Sequence, residues 1–120
     1  YTIVIASSGT DRSTSGRATH GLGSHRGTLT DSSRTDSGIT GNAYFVSLRA
    51  GQRIRIDLYS SDFDPLLVLR HGNQELERND DGGDGLNSRI DFVAPTTDVY
   101  EIVASRFSGT GDYRLEIRSN

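Results

Sequence analysis

Apolar and polar residues alternate with a period of two along most of the chain, and the period of about 3.6 residues of an amphipathic helix is nearly absent. Residues 53–58 place apolar side chains on one face and charged side chains on the other, and residues 44–48 alternate similarly. Residues 66–69 are continuously apolar, as in a central strand of a packed sandwich. The remaining predicted strands are a weaker one at 75–78 and stronger ones at 90–92, 99–104 and 113–117.

Short segments rich in turn-forming residues separate the predicted strands. We interpret residues 50–52 and 71–73 as tight hairpin turns, and residues 94–96 and 109–112 as the later turns. Many short strands with this punctuation predict an all-β fold, namely an antiparallel β-sandwich or jelly roll of about eight strands. We expect the acidic loops on either side of residues 66–69 to lie together at one end of it.

The N-terminal part of the chain differs in composition, which predicts an extended arm over residues 1–26 and a sandwich domain over residues 27–120. Residues 7–27 are rich in Ser, Thr, Gly and Arg, which is the composition of a linker. Fully extended, about 20 residues span on the order of 65 Å, enough to reach a neighbouring molecule. The arm begins with a compact β-forming segment made of Thr2, Ile3, Val4, Ile5 and Ala6.

An apolar strand at the end of such an arm has to pair with a sheet edge, because an exposed strand is an aggregation hazard. One interpretation is that residues 2–6 fold back onto the edge of their own sandwich. The other is that they add a strand to the sheet of a neighbouring copy, which gives a homo-oligomer in the form of a ring, filament or tube. The length of the tether favours the second interpretation.

Carboxylates are concentrated in the two loops that flank residues 66–69. Like charges at this density repel unless water or a cation separates them, and oxygen ligands without histidine or cysteine suit Ca²⁺. Gly82, Gly83 and Gly85 allow the second loop to fold tightly around an ion. The alternative is a pair of solvated acidic turns whose aspartates cap loop amides. The candidate calcium ligands are Asp62, Asp64, Asn79, Asp80, Asp81 and Asp84.

Composition and charge narrow the possible functions. With 120 residues the chain is one domain, and its 32% of hydrophobic residues give a lean core that a bound cation would supplement. The net charge of −3 argues against nucleic acid as a partner, and no stretch approaches the ~20 apolar residues of a membrane helix. Calcium is abundant outside cells, so the acidic loops predict a secreted, extracellular protein.

The sequence does not indicate catalysis. Its three histidines, His20, His25 and His71, lie in linker-like or turn segments, and neither a nucleophile elbow nor a zinc-binding helix motif is present. Asp62 and Asp64 imitate the carboxylate pair of a glycosidase, but nothing nearby in the sequence suggests a pocket around them. We therefore predict that the chain is not an enzyme.

Aromatic side chains offer a different kind of surface. The alternation directs Tyr44, Tyr100 and Phe92 into the core, where most aromatic residues of a small sandwich lie. The candidates for an exposed face that binds an extracellular polymer are Phe45, Tyr59 and Phe107.

Several short motifs occur in a distinctive order over roughly three quarters of the chain. They are Gly27-Thr28-Leu29, Asn42-Ala43-Tyr44-Phe45, Ala50-Gly51-Gln52, Asp62-Phe63-Asp64-Pro65-Leu66-Leu67, Asn79-Asp80-Asp81, Asn87-Ser88-Arg89-Ile90, Val99-Tyr100 and Gly111-Asp112-Tyr113. In this order and spacing they resemble a bacterial pre-peptidase C-terminal domain. The chain departs from that pattern at Asn42, where aspartate is frequent, and at Asp98, where glycine is frequent.

The resemblance implies a secreted, non-catalytic β-sandwich that accompanies a protease or another exported protein. Similar domains in bacterial collagenases bind calcium and collagen. We therefore expect a calcium-binding module that acts in extracellular assembly, with the strand at residues 2–6 added to a neighbouring subunit. The alternative is a monomeric accessory domain that targets a secreted peptidase to a polymer such as collagen or polysaccharide.

Overall fold

The structure, a computed structural model, describes residues 19–36, 38–80 and 87–120, without the side chains of Phe107 and Ser108. No helix in these ranges is long and apolar enough to cross a membrane. The described residues form eight strands: β1 Gly23–Leu29, β2 Asn42–Leu48, β3 Arg53–Tyr59, β4 Asp64–His71, β5 Gln74–Asn79, β6 Ser88–Val93, β7 Asp98–Ser108 and β8 Gly111–Ser119.

The strands make two four-stranded sheets. The first sheet has the order β1-β8-β3-β6 and the second sheet has the order β2-β7-β4-β5, with antiparallel pairing throughout. Successive strands pass from one sheet to the other, except at the β4–β5 connection. This arrangement is a jelly roll, so the predicted all-β sandwich is confirmed, including the weak strand that is now β5.

One of the two predicted hairpin turns joins strands of different sheets. Gly72, with φ of 62°, lies in the turn between the paired strands β4 and β5. Gly51, with φ of 84°, and the hydrogen bond from the Gln52 amide to the Arg49 carbonyl at 2.9 Å also define a turn. However, this turn connects β2 to β3 in the other sheet, so the prediction of a hairpin at residues 50–52 is wrong. Local residues fix the turn, whereas packing of the apolar face decides which sheet the next strand joins.

The core lies between the sheets, because alternation puts one apolar face of each strand inward. Tyr44, Tyr100 and Phe92 are buried, which confirms the direction predicted for them. Fully burying a large aliphatic side chain contributes about 1.5–3 kcal/mol, so this layer supplies most of the stability of a chain with few apolar residues. The largest fully buried side chains are Tyr100, Leu29, Leu48, Ile54, Ile56, Leu58, Leu67, Leu69, Ile102, Leu115, Ile117 and Val46.

The described part of the chain begins along the edge of β2. The His20 amide donates to the Phe45 carbonyl at 2.6 Å, and the Phe45 amide donates to His20 Nδ1 at 3.4 Å. The chain then crosses to the first sheet, where β1 begins at Gly23, earlier than the boundary at residue 27 that composition predicts. β1 is an edge strand with few apolar residues, which explains its resemblance to a linker. Residues 2–6 lie outside the described part of the chain.

The outward faces of the two sheets differ in charge arrangement. On the first sheet, arginines pair with carboxylates of the neighbouring strand, as in Arg89 Nε to Asp57 Oδ1 at 2.7 Å. On the second sheet, one ion pair is nearly buried: Arg70 and Glu101 side chains are each 10% exposed, with Nη1 and Oε1 3.0 Å apart. Removing such charges from water costs free energy, so each side chain needs the other as its ion-pair partner.

Removing one member of the buried pair is therefore more harmful than removing both. We expect Glu101→Leu to lower the free energy of unfolding by about 3–5 kcal/mol, because it leaves a buried guanidinium without its carboxylate. The double variant Arg70→Met/Glu101→Leu is expected to lose less free energy of unfolding, because no unpaired buried charge remains. Urea unfolding measures the stability of the single and the double variant. Arg78→Met is the control, because the Arg78–Glu75 pair has exposed side chains and contributes ~0–1 kcal/mol. A double variant less stable than Glu101→Leu would contradict the prediction.

A second cross-strand pair makes the stability depend on pH. His71 Nε2 lies 2.9 Å from Asp98 Oδ2, and this hydrogen bond, together with one from the Val99 amide, lowers the pKa of the Asp98 carboxyl. A carboxyl with a lowered folded-state pKa stabilises above its unfolded-state pKa, and this contribution disappears as pH falls through the lowered value.

We expect Asp98→Asn to be less stable than the wild type at pH 5 and the difference to shrink between about pH 4 and pH 2. The effect is small because the Asp98 side chain is 53% exposed. Thermal midpoints across this range measure it, with Asp36→Asn as a control at an exposed carboxyl. A difference that widens on acidification would contradict the assignment.

Candidate functional site at the Asp62 end of the sandwich

The two sheets are tied together by a pair of buried tyrosine hydroxyls. Tyr44 on β2 and Tyr113 on β8 have their hydroxyl oxygens 2.6 Å apart, and Asn42 Nδ2 donates to the Tyr113 hydroxyl at 2.9 Å. Burial, followed by the hydrogen bond with Tyr113, raises the pKa of Tyr44. Asn42 Nδ2 also donates to the Thr28 carbonyl at 3.1 Å. The amide therefore has a structural role that a carboxylate at this position lacks.

Gly27 is required because Tyr113 lies directly against it. A Cβ atom at Gly27 would be 2.3 Å from the Tyr113 hydroxyl oxygen, which no side chain tolerates. Thus the separate motifs that contain Gly27, Asn42, Tyr44 and Tyr113 contact one another in space.

The loop between β3 and β4 is fastened to the start of β8. Asp62 Oδ2 accepts from the Asp112 amide at 2.9 Å, and a Cβ at Gly111 would lie 2.3 Å from the Asp62 Cβ. Ser60 Oγ donates to the Asp112 carbonyl at 2.8 Å and accepts from the Asp62 amide at 3.0 Å. The sequence indicated neither the role of Ser60 nor that of Asp112, because the contacts join distant parts of the chain.

The other predicted ligands lie on the second sheet. Asp64 is the first residue of β4, where a register shift separates it from the rest of the pairing with β7. Asn79 ends β5 opposite Leu67, and its Oδ1 accepts from the Arg89 amide at 3.3 Å. Asp80 follows Asn79 and is partly buried. The structure therefore attaches Asp62 to β8, and places Asp64, Asn79 and Asp80 at the adjoining ends of β4 and β5.

The described residues do not by themselves assemble a calcium site. Among residues 19–36, 38–80 and 87–120, no group of three or more His, Cys, Asp or Glu side chains is arranged to hold a metal ion. Calcium takes six to eight oxygens, so the predicted site needs further ligands. Asp81 and Asp84, which are predicted to supply them, lie outside the described residues.

The predicted aromatic residues do not form one flat face. Phe45 projects from the outward face of the second sheet and Tyr59 from the outward face of the first sheet, on opposite sides of the sandwich. Both are partly buried, and the Arg114 guanidinium carbon lies 4.5 Å from the centroid of the Tyr59 ring. The Phe107 side chain lies outside the described part. Alternation predicts whether a side chain faces outward, but not which sheet carries it.

A cleft adjoins Asp62 at the end of the first sheet's outward face. Its volume is about 530 Å³, and both positive and negative side chains line it. Tyr59 and Arg114 form one part of the wall, while Asp62 and Asp112 form another. The full lining consists of Arg26, Tyr59, Ser60, Ser61, Asp62, Asn87, Asp112, Tyr113 and Arg114.

Comparison with protein families identifies a match over much of the sandwich. The family model described as the bacterial pre-peptidase C-terminal domain matches residues 40–106, more than half of the 120 residues. This stretch contains β2 to β6 and most of β7. No curated protein matches the chain.

Solved structures share the fold at low sequence identity. The pre-peptidase C-terminal domain of collagenase from Bacillus anthracis aligns with a TM-score of 0.64 and 17% identity, covering 85% of this chain and 98% of that one. Aeromonas hydrophila PliG, a periplasmic inhibitor of g-type lysozyme, aligns with a TM-score of 0.58 and 16% identity, covering 83% of this chain and 89% of that one. CorA, a surface-associated copper-binding protein of Methylomicrobium album BG8, aligns with a TM-score of 0.54 and 12% identity, covering 82% of this chain and 94% of that one.

Proposed function

This chain belongs to the bacterial pre-peptidase C-terminal domain family, and from this premise we propose that it is a non-catalytic module of an exported protein that acts through binding and assembly. The observation that carries the assembly part is the edge of β2, to which His20, near the start of the described residues, is hydrogen-bonded. Family membership carries the non-catalytic and exported parts of the proposal.

Part of the edge of β2 faces away from β7, as the amide and carbonyl of Phe45 show by their hydrogen bonds to His20 of the same chain. A donated strand would pair beside this contact or replace it. Because backbone groups alternate in direction along an antiparallel strand, those of Ala43 and Ser47 face the same edge. Such an edge is a template for strand addition.

The segment at residues 2–6 is the strand that we propose for this edge, donated by a neighbouring copy. It is β-forming and apolar, and the linker-like residues that follow give it the reach to leave its own sandwich. A contact between the arm of one copy and the edge of the next is heterologous, so repetition produces a filament, tube or ring.

Deletion of residues 1–18 is expected to convert an assembly into monomers, because the donated strand is lost while the described sandwich is kept. Size-exclusion chromatography with light scattering and electron microscopy measure the change, and circular dichroism checks the fold. If the full chain and the deletion variant are both monomeric, assembly through the arm is wrong.

Ser47→Pro tests the acceptor edge in the full chain. Proline removes an edge-facing amide, and sheets tolerate it on edge strands, so the fold survives while strand addition weakens. Ser47→Ala keeps the amide and serves as the matched control. Filaments of unchanged length and number in Ser47→Pro would exclude this edge.

We also propose that calcium rigidifies the loops next to Asp64 and Asp80, with Asp81 and Asp84 as further ligands. Calcium would neutralise the repulsion between these carboxylates and connect the ends of β4 and β5 to the following loop. The support is the placement of Asp64, Asn79 and Asp80 at adjoining strand ends, together with the oxygen-rich sequence that follows.

Calcium is expected to raise the thermal midpoint, by an amount that corresponds to about 3 kcal/mol when its concentration is 100-fold above Kd. Differential scanning calorimetry with calcium and with chelator measures the shift. Asp80→Asn should reduce it strongly, whereas Asp91→Asn, an exposed change on β6, should not. Equal midpoints with millimolar calcium and with chelator would refute the proposal.

A second candidate function is that of a monomeric accessory domain that targets a secreted peptidase to a polymer. The fold shared with the collagenase domain of Bacillus anthracis favours it. Co-sedimentation with insoluble collagen and with insoluble polysaccharide tests this function. A monomeric full chain that sediments with one of these polymers would replace assembly as the main function.

A further inference from the structure

Two arginines lie side by side on the outward face of the first sheet. Arg26 on β1 is directly opposite Arg114 on β8, and Tyr59 on β3 is opposite Arg114 on its other side. The Arg114 guanidinium rests on the Tyr59 ring, with 4.5 Å from its central carbon to the ring centroid. Directly opposed like charges on neighbouring strands are destabilising unless an anion lies between them.

The ion pairs around Arg114 leave Arg26 without a partner among the described residues. Glu116 is shared, because Arg114 Nε lies 3.1 Å from its Oε2 and Arg118 contacts its Oε1. Arg114 Nε is buried, and its 3.1 Å approach to Glu116 Oε2 is an ion pair without the geometry of a hydrogen bond. Within the described ranges no hydrogen bond or ion pair involves the side chain of Arg26, which is exposed. Arg26 therefore has hydrogen-bond donors that no described side chain uses, while Asp62 and Asp112 in the same lining balance the charge of Arg26 and Arg114 overall.

The neighbouring part of the same cleft accepts hydrogen bonds, since Asp112 lies one step along the same face of β8 from Arg114. Asp112 uses Oδ1 to accept from Thr28 Oγ1 at 2.7 Å, and Asp62 uses Oδ2 to accept from the Asp112 amide at 2.9 Å. Each carboxylate keeps a second oxygen, and Asn87 adds an amide at the same wall. A ligand for the whole cleft therefore needs an anionic group at one end and hydroxyl donors at the other.

We propose that this cleft binds the uronic-acid residues of an acidic polysaccharide. The sugar carboxylate accepts from Arg26 and Arg114, whose planar guanidinium groups match it in shape and charge. The ring hydroxyls donate to Asp62 and Asp112, which have acceptors to offer and no protons to give. A neutral sugar leaves Arg26 unpaired, and a plain anion supplies no donors to the second oxygens of Asp62 and Asp112. The cleft volume of about 530 Å³ is within the range of small-ligand sites.

Calorimetric titration with tetragalacturonate, a soluble uronic-acid oligomer, tests the proposal in the full chain. We expect Arg26→Ala to weaken binding about tenfold or more, because a hydrogen bond between charged groups is lost. The matched control is Arg53→Ala, which removes an exposed arginine elsewhere on the same face and should change binding little. Amide chemical shifts that change around Tyr59, Asn87 and Asp112 on titration would place the ligand in the cleft.

Two further ligands test whether the cleft recognises both the carboxylate and the ring hydroxyls. The methyl ester of the same oligomer removes the negative charge and should bind at least about tenfold more weakly. An acidic tetrapeptide supplies carboxylates without ring hydroxyls and should bind more weakly than the uronate. Equal binding of the ester, stronger binding of the peptide, or unchanged affinity in Arg26→Ala would each overturn the proposal.

Thermal melting of Arg26→Ala verifies that a loss of binding is not a loss of folding. The experiment does not depend on the arm, so its failure leaves the assembly proposal unaffected, and failure of assembly leaves the cleft unaffected.

Discussion

The hydroxyl contact between Tyr44 and Tyr113 is the buried polar contact around which the Asp62 end of the sandwich is arranged. It joins β2 of the second sheet to β8 of the first sheet, and the hydrogen bond from Ser88 Oγ to the Pro65 carbonyl is a further buried polar link between the sheets. A buried hydroxyl without a partner costs on the order of 1–3 kcal/mol, so each tyrosine holds the other in place. The close approach at Gly27 follows from the position of Tyr113, and Asn42 completes the network. Because this network fixes the start of β8, it also fixes Asp112 and the wall of the cleft.

The strands were predictable because a period of two is imposed on every strand with one buried face. The chain carries that period clearly in β3 and β8, whereas β4 and β7 contain nearly continuous apolar runs, and the polar β5 matches the weaker predicted strand. β1 was not predicted as a strand. Its inward positions near the start are His25 and Gly27, so the apolar signal begins only at Leu29. Because β1 packs Gly27, in place of a large apolar side chain, against the Tyr113 ring, its composition resembles that of a linker.

The candidate site was less predictable than the fold. The sequence showed acidic loops and therefore indicated Asp62 and Asp80, but the bond from the Asp112 amide to Asp62 depends on the jelly-roll connections. Similarly, the opposition of Arg26 and Arg114 depends on the register between β1 and β8, which join distant parts of the chain. Local residue patterns specify the direction of a side chain, whereas tertiary pairing specifies its neighbours.

All 13 basic residues of the chain are arginine, so every positively charged side chain on the outward face of the first sheet is a guanidinium. An ammonium group next to Glu116 would act as a point charge, whereas guanidinium groups are planar and donate in fixed directions. Arg114 uses this geometry to lie on the Tyr59 ring while staying next to Glu116. A face built in this way can align planar anions along a flat sheet. The edge of β2 is in the other sheet, so a polymer in the cleft and a donated strand would occupy different surfaces, and one molecule could hold both at once.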